Sequence, residues 1–163
     1  MPRLLRIALT GLTTLAGAAQ PVPSNEVAAL VESRVREIAD ASLRDVAMAV
    51  YDPNHPVIYY NPQLLNRFSP ELGAFFMAHE YAHIALRHTR SGALRSGAGS
   101  RNRVLQEKEL EADCLAAFRL GADRRDASLA AVRFFTRVGD TRFDSEHPSG
   151  TERAKRILSC MPQ

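Results

Sequence analysis

The sequence is poor in cysteine, in net charge and in long apolar runs, and each shortage argues against a class of protein. Its two cysteines, Cys114 and Cys160, have no CxxC spacing, which argues against a metal site built from cysteines. The formal net charge is only +3, and no basic face with interleaved aromatic residues appears, so we expect no nucleic-acid partner. Hydrophobic residues make up 45% of the 163 residues and charged residues 24%, which is typical of one globular domain.

The most apolar run, Ile7–Ala19, follows two arginines near the start of the chain. It ends in small residues, with an A-x-A cleavage site at residues 16–18, and it is short for a bilayer span. We therefore expect a signal peptide over residues 1–19 and a single domain over residues 20–163. The mature protein would be secreted, into the periplasm, without a stable membrane span. An uncleaved anchor is the alternative.

Export would change the chemistry of the two cysteines, because it places them in an oxidising compartment. Cys114 and Cys160 are then expected to form one disulfide rather than two free thiols. The alternative is that Cys114 is simply a small buried residue on its helix.

Residues 69–88 read SPELGAFFMAHEYAHIALRH, and the rest of the chain is organised around them. A serine N-cap followed by proline predicts a helix that starts here. Residues four apart share a helix face, so His79 and His83 can present two imidazole nitrogens to one zinc ion. Glu80 points about 100° away, beside the ion, where it can act as a general base. A chance HExxH on a buried amphipathic helix is the alternative.

Two short β-branched and aromatic runs, Val46–Tyr51 and Val57–Tyr60, flank a turn and predict an antiparallel hairpin before this helix. An exposed strand edge can bind an extended peptide through backbone hydrogen bonds. We therefore name Tyr59, Tyr60 and Asn61 as candidate substrate-binding residues. Ordinary packing of the tyrosines is the alternative.

The other elements follow from hydrophobic periodicity and from capping residues. Residues 91–103, rich in Ser, Gly and Arg, predict a loop beside the site. The predicted helices are Asn25–Ala39, Val104–Leu120 with Gly121 as terminator, Arg125–Val138 with Gly139 as terminator, and a last helix that begins at the Ser149/Glu152 capping box.

The second of these helices carries a run of acidic residues that can complete a metal site. Two histidines need a third protein ligand, and a carboxylate from a second helix is a standard solution, for which Glu109 is the candidate. Asp113, one turn later, can accept the other ring N–H of a ligating histidine. Glu107 and Glu111 fall on other faces and are expected to be solvated. An ordinary acidic helix surface is the alternative.

A third segment, HPSGTER, supplies His147 and Arg153. His147 lies in the loop before the last helix, from which it can donate to a developing oxyanion or occupy the open position on zinc. Arg153 can orient carboxylates near the site or stabilise charge itself. A structural role for both residues in anchoring the loop is the alternative.

HEYAH, ELEADCLAA and HPSGTER together resemble the HExxH, ExxxD and HPxxxxR elements of gluzincin metallopeptidases of the HtpX and CAAX-prenyl-endopeptidase type. The similarity runs roughly from Tyr59 to Ile157. The resemblance implies a zincin-like fold, one Zn²⁺ per chain held by His79, His83 and Glu109, a catalytic Glu80, and Asp113 behind the ligands. Members of that group with transmembrane helices or helical repeats differ from this chain, which has neither beyond its leader.

We therefore predict a compact α+β domain, mostly helical, with a small antiparallel sheet beside the HExxH helix. The predicted function is that of a secreted zinc endopeptidase that acts on peptides or unfolded proteins. One alternative is a zinc-binding latent or chaperone-like protein of envelope quality control with little turnover. The other is a structural domain without metal. The sequence indicates no oligomeric state.

Overall fold

The computed structural model describes residues 34–88 and 98–162, which form a small sheet and a set of packed helices. This architecture confirms the predicted α+β class. The predicted signal peptide lies outside the described residues. Within them, no helix is both long and apolar enough to cross a membrane. The elements are β1 (Arg36–Ala39), β2 (Ala47–Val50), β3 (Val57–Tyr60), α1 (Pro62–Leu65), α2 (Pro70–Ala85), α3 (Ala98–Leu120), α4 (Arg125–Val138) and α5 (Gly150–Cys160).

The sheet has the strand order β1-β3-β2 and is mixed. β2 and β3 pair antiparallel, which confirms the predicted hairpin, whereas β1 pairs parallel with β3. The prediction of a purely antiparallel sheet is therefore wrong. So is the end of the helix predicted over Asn25–Ala39, because Arg36–Ala39 forms β1; the first part of that helix lies outside the described residues. Pairing with a distant strand outweighs local helical periodicity here.

Helix α2 lies at the centre of the fold, with contacts to β2, α3 and α4. Its start follows the prediction: the Ser69 side chain accepts a hydrogen bond from the Leu72 N–H at 3.3 Å, and proline occupies the first turn. Toward the sheet it buries Ile84 against Ala47 and Ile58. The helix is therefore held on both sides, and its face carries the HExxH residues between the sheet and the other helices.

The main core lies between the four long helices and is rich in alanine, which lets the helices approach closely. Four phenylalanines form a series of edge-to-face contacts within it, with ring centroids 5.1 to 6.5 Å apart, and they connect α2 to α4: Phe68, Phe76, Phe134 and Phe135. This aromatic cluster forms the floor beneath the HExxH face.

The remaining helices agree with the sequence-based prediction except for one helix start. α3 begins at Ala98, so the end of the predicted loop is helical and the prediction of a start near Val104 is wrong; residues 89–97 lie outside the described part. Gly121 and Gly139 have φ values of +58° and +64°, as expected of helix terminators. The capping box at Ser149 and Glu152 is formed, which confirms the predicted start of α5.

Cys114 of α3 and Cys160 of α5 form a disulfide, as predicted, with their Cα atoms 5.2 Å apart. It joins two helices through cysteines that lie 46 residues apart in sequence. The bond fixes α5 against the helix that carries Glu109 and Asp113.

Candidate metal centre and cleft

Two histidines of α2 and one glutamate of α3 converge on a single point. The Nε2 atoms of His79 and His83 are 3.0 Å apart. The Glu109 carboxylate lies 3.2 Å from the first of these atoms and 3.3 Å from the second. The spacing of four residues on α2 brings the two rings together, and the packing of α3 against α2 adds the carboxylate. The structure therefore brings together the three residues that the sequence named as ligands.

This donor set fits a zinc ion in two respects. Ligands at 2.0 to 2.1 Å from a tetrahedral centre lie roughly 3.3 Å apart, close to the three separations found here. The two imidazole nitrogens also face each other within a largely buried site, since the His79 and His83 side chains are only 7% and 14% exposed. Two lone pairs at this distance need a cation or a proton between them. The three residues thus form a site that could hold one metal ion.

In the metal-free protein the carboxylates around His79 favour the protonated form of its ring. Burial lowers the pKa of His79, but its hydrogen bonds to Asp113 and Glu109 outweigh burial and raise the pKa from 6.5 to about 10. Burial raises the pKa of Glu109, yet its hydrogen bonds to His79 and His83 hold the pKa well below the usual value. The site therefore combines an ionised carboxylate with a protonated ring, and a bound cation would replace that proton.

Asp113 and Arg153 support His79 from behind. The Asp113 carboxylate is fully buried and lies 3.0 Å from Nδ1 of His79. Arg153 donates two hydrogen bonds to it, from Nε at 2.8 Å and from Nη2 at 2.7 Å, and stacks over Phe135 with 4.1 Å between guanidinium and ring centroid. Burial raises the pKa of Asp113, but the Arg153 charge lowers it below its usual value. An ionised Asp113 holds the proton of His79 on Nδ1 and leaves Nε2 for the site.

His83 has a corresponding partner that the sequence reasoning missed. Its Nδ1 lies 3.0 Å from Nδ1 of His88, and Nε2 of His88 lies 3.2 Å from a Glu111 oxygen. Burial, with a smaller effect of His83, lowers the pKa of His88 from 6.5 to about 3. Glu111 is exposed, as predicted, but it is not merely solvated. No helical spacing relates His88 to His83, so periodicity gave no signal for this contact.

Glu80 lies where α2 meets the outer edge of β2, with which no other strand of the described residues pairs. Along a strand of an antiparallel pair, the backbone N–H and C=O groups of successive residues point alternately toward the partner strand and away from it. The Val46 carbonyl accepts from the Asn61 N–H and so points toward β3's end of the pair. The backbone groups of Ala47 and Ala49 therefore point away from β3. On that side the Ala49 N–H donates to Oε2 of Glu80 at 2.6 Å. Glu80 therefore borders both the edge of β2 and the face that carries the two histidines.

The expectation that Tyr59, Tyr60 and Asn61 present a free strand edge is wrong. β3 is the central strand, so both its edges pair with neighbouring strands. Asn61 is buried, where its side chain donates to the Leu43 carbonyl at 2.8 Å and accepts from the first turn of α1. The edge that faces the candidate site belongs to β2. The hairpin was predicted correctly, but β1 pairs with the edge of β3 that the hairpin alone would leave unpaired.

His147 lies at the opening of the site, in the loop before α5. Its Nε2 is 3.8 Å from a Glu109 oxygen, and its Nδ1 lies 2.8 and 2.9 Å from the two oxygens of Asp144. Asp144 also accepts from the His147 backbone N–H at 2.9 Å, so one carboxylate fixes both backbone and ring. Sequence reasoning missed Asp144, although the D-x-x-H spacing is that of a side-chain-capped turn.

These groups border one cleft with a volume of about 610 Å³. The edge of β2 forms one wall, α3 and the His147 loop form the other, and the phenylalanine cluster lies beneath. Glu80, His79 and Glu109 line the space between the walls. A segment of extended chain laid along β2 would therefore pass the candidate metal site.

The fold and the site together define an α+β domain with a candidate metal centre of two histidines and a glutamate. The chain belongs to the family described as "Putative metallopeptidase domain", whose sequence profile matches residues 26–157. That range includes the HExxH helix, Glu109, Asp113, His147 and Arg153. No curated protein and no solved structure matches the chain.

Proposed function

We propose that this chain is a zinc-dependent endopeptidase. The observation that carries the proposal is the convergence of His79, His83 and Glu109, with donor atoms 3.0 to 3.3 Å apart, at one side of an open cleft. Three protein ligands and an open fourth position are the arrangement of catalytic rather than structural zinc sites. Membership of a metallopeptidase-type family and the resemblance to gluzincins of the HtpX type support the same assignment.

Glu80 is the proposed general base. Zinc bound by the three residues would polarise the scissile carbonyl and lower the pKa of water, to about 7 in favourable sites. Glu80 accepts the proton of the attacking water and passes it to the leaving amine. Its hydrogen bond from Ala49 holds one carboxylate oxygen at the strand edge and fixes the orientation of the other. Asp113 and Arg153 keep His79 in the tautomer that leaves Nε2 free.

The edge of β2 is the proposed binding site for the substrate backbone. The backbone groups of Ala47 and the Ala49 carbonyl face away from β3 on this side, where among the described residues no strand pairs with β2, whereas the Ala49 N–H is held by Glu80. Backbone pairing fits a peptide or an unfolded protein, because it requires an extended chain but little side-chain identity.

His147 is the proposed donor to the oxyanion that develops on the scissile carbonyl. Its Nδ1 is engaged by Asp144, so Nε2 faces the cleft. With a proton on Nε2 this ring stabilises negative charge, whereas without that proton it is a fourth ligand that would hold the enzyme latent. The 3.8 Å separation between His147 Nε2 and a Glu109 oxygen places the ring beside the metal centre, within range of either role. His147→Ala should reduce turnover in the first case and increase it in the second.

The test of the proposed function is zinc content by elemental analysis, followed by a peptide-library assay. The wild-type chain should hold one zinc, Glu109→Ala should lose it, and Glu107→Ala, on an exposed face of the same helix, should keep it. Glu80→Gln retains an acceptor for the Ala49 N–H and should bind zinc without hydrolysis. Zinc without hydrolysis in the wild-type chain would instead favour a latent or chaperone-like protein.

We also propose that the protein is secreted. The leader over residues 1–19 and the disulfide both support an oxidising compartment. The intact mass of protein purified from the cell envelope should correspond to a chain that starts near Ala19 or Gln20. Retention of the leader in that mass would contradict cleavage.

A further inference from the structure

We propose that His88 is a positioning residue for the metal centre, which orients the ring of His83 and is itself oriented by Glu111. The inference rests on the proposed function, because it concerns how a cation is held. Its basis is a continuous series of contacts: His83 Nδ1 to His88 Nδ1 at 3.0 Å, and His88 Nε2 to Glu111 Oε2 at 3.2 Å.

These contacts select one tautomer for each ring. To bind a cation through Nε2, His83 must carry its proton on Nδ1. The Nδ1 of His88 lies 3.0 Å from this nitrogen and is its hydrogen-bond partner among the described residues. The His88 nitrogen then accepts, so its own proton lies on Nε2 and points to the Glu111 carboxylate. Each N–H has an acceptor, and the lone pair of His83 is directed at the cation. The opposite tautomer of His88 would place two N–H groups face to face.

The backbone at the end of α2 is shaped to bring His88 into this position. The His88 N–H donates to the His83 carbonyl at 2.9 Å, and the Arg87 N–H donates to the Ile84 carbonyl at 3.0 Å, which together form a Schellman motif. Arg87 occupies the left-handed position with φ 55°, where glycine is usual because a side chain at Cα is strained there. The reversal folds the chain back so that the His88 ring meets the ring five residues earlier.

The arrangement gives each ligating histidine its own support. His79 has the buried Asp113, and His83 has the His88 ring, whose side chain is only 9% exposed. Glu111 is 56% exposed, so water competes for its carboxylate and its contribution should be the smaller one. His88 is therefore the residue on which the orientation of His83 depends most.

The test is the zinc dissociation constant, measured by competition with a chelator and independent of turnover. His88→Ala removes the acceptor for the His83 N–H and should weaken zinc binding roughly 10- to 100-fold. His88→Gln supplies an amide oxygen and should recover much of that loss. His55→Ala is the matched control, because this histidine lies in an exposed turn with its side chain 81% exposed. It should bind zinc as the wild-type chain does.

Two further measurements separate positioning from stability. Urea unfolding of the metal-free variants detects a purely structural role, which would lower the stability of His88→Ala without weakening zinc binding by the folded protein. Arg87→Gly preserves the left-handed turn and should keep the wild-type affinity. Unchanged zinc affinity in His88→Ala, with one zinc in the wild-type chain, would overturn this inference alone. A wild-type chain that binds no zinc would overturn the proposed function as well.

Discussion

The disulfide between Cys114 and Cys160 offers the most quantitative test of how the fold is held together. Replacing both residues by alanine removes the bond and leaves no free thiol. The two cysteines lie 46 residues apart, and the loop-entropy relation for a closure of that length gives a stabilisation of about 4 kcal/mol at 25 °C. Small domains have an unfolding free energy of roughly 5 to 15 kcal/mol, so the expected loss is a large fraction of the total.

The assay is urea unfolding of metal-free wild-type and double-variant protein, since bound zinc would add its own stabilisation. The urea concentration at the transition midpoint should fall by an amount equivalent to about 4 kcal/mol. The dependence of the unfolding free energy on urea concentration should become steeper, because the uncrosslinked chain unfolds to a more open state. The folded variant should still bind one zinc, because the Asp113–Arg153 ion pair joins the same two helices. An unchanged midpoint would refute the loop-entropy reasoning.

Two further predictions concern packing and pH. Gly150→Ala should destabilise the protein by about 3 kcal/mol, because its Cβ would collide with the Phe135 carbonyl oxygen. Gly73→Ala, whose Cβ would have a Leu65 methyl as its nearest neighbour at 3.4 Å, should instead gain up to about 1 kcal/mol of stability. Equal melting temperatures of the two variants would contradict this. Since His79 has a folded pKa of about 10 against 6.5 unfolded, its contribution to the stability of metal-free protein is complete below pH 6.5 and is lost as the pH rises through 10. Urea unfolding across this pH range should show that the free energy of unfolding declines in metal-free protein and not in zinc-loaded protein. A free energy of unfolding that does not change with pH in metal-free protein would contradict the raised pKa of His79.

Much of the fold could be predicted because its signals are local. Ser69 and the Ser149/Glu152 box cap their helices through contacts within one turn, and Gly139 ends α4 through a backbone angle that glycine adopts easily. The pair of histidines on α2 is equally local, because a spacing of four residues fixes their shared face. Such features depend only on neighbours in sequence, so reading the sequence is sufficient.

The errors concern contacts with distant parts of the chain. Nothing within Arg36–Ala39 indicates that a strand 21 residues later, Val57–Tyr60, will pair with it, and this pairing turned a predicted helix into β1. The same pairing closed the edge of β3 and left β2 open to the cleft. His88 was missed for a related reason: its contact with His83 depends on a chain reversal at Arg87, a residue that does not usually mark one.

The HPSGTER segment shows how a short motif can encode a distance between two parts of a site. Ser149 starts α5 immediately after His147 and Pro148, so the imidazole stays in the loop at the opening of the cleft while Arg153 lies just beyond the first helical turn. From there the guanidinium reaches Asp113 on α3. Gly150 permits this position, because any side chain at its Cα would strike the end of α4. The spacing of six residues between His147 and Arg153 therefore connects the cleft to the buried ion pair behind His79.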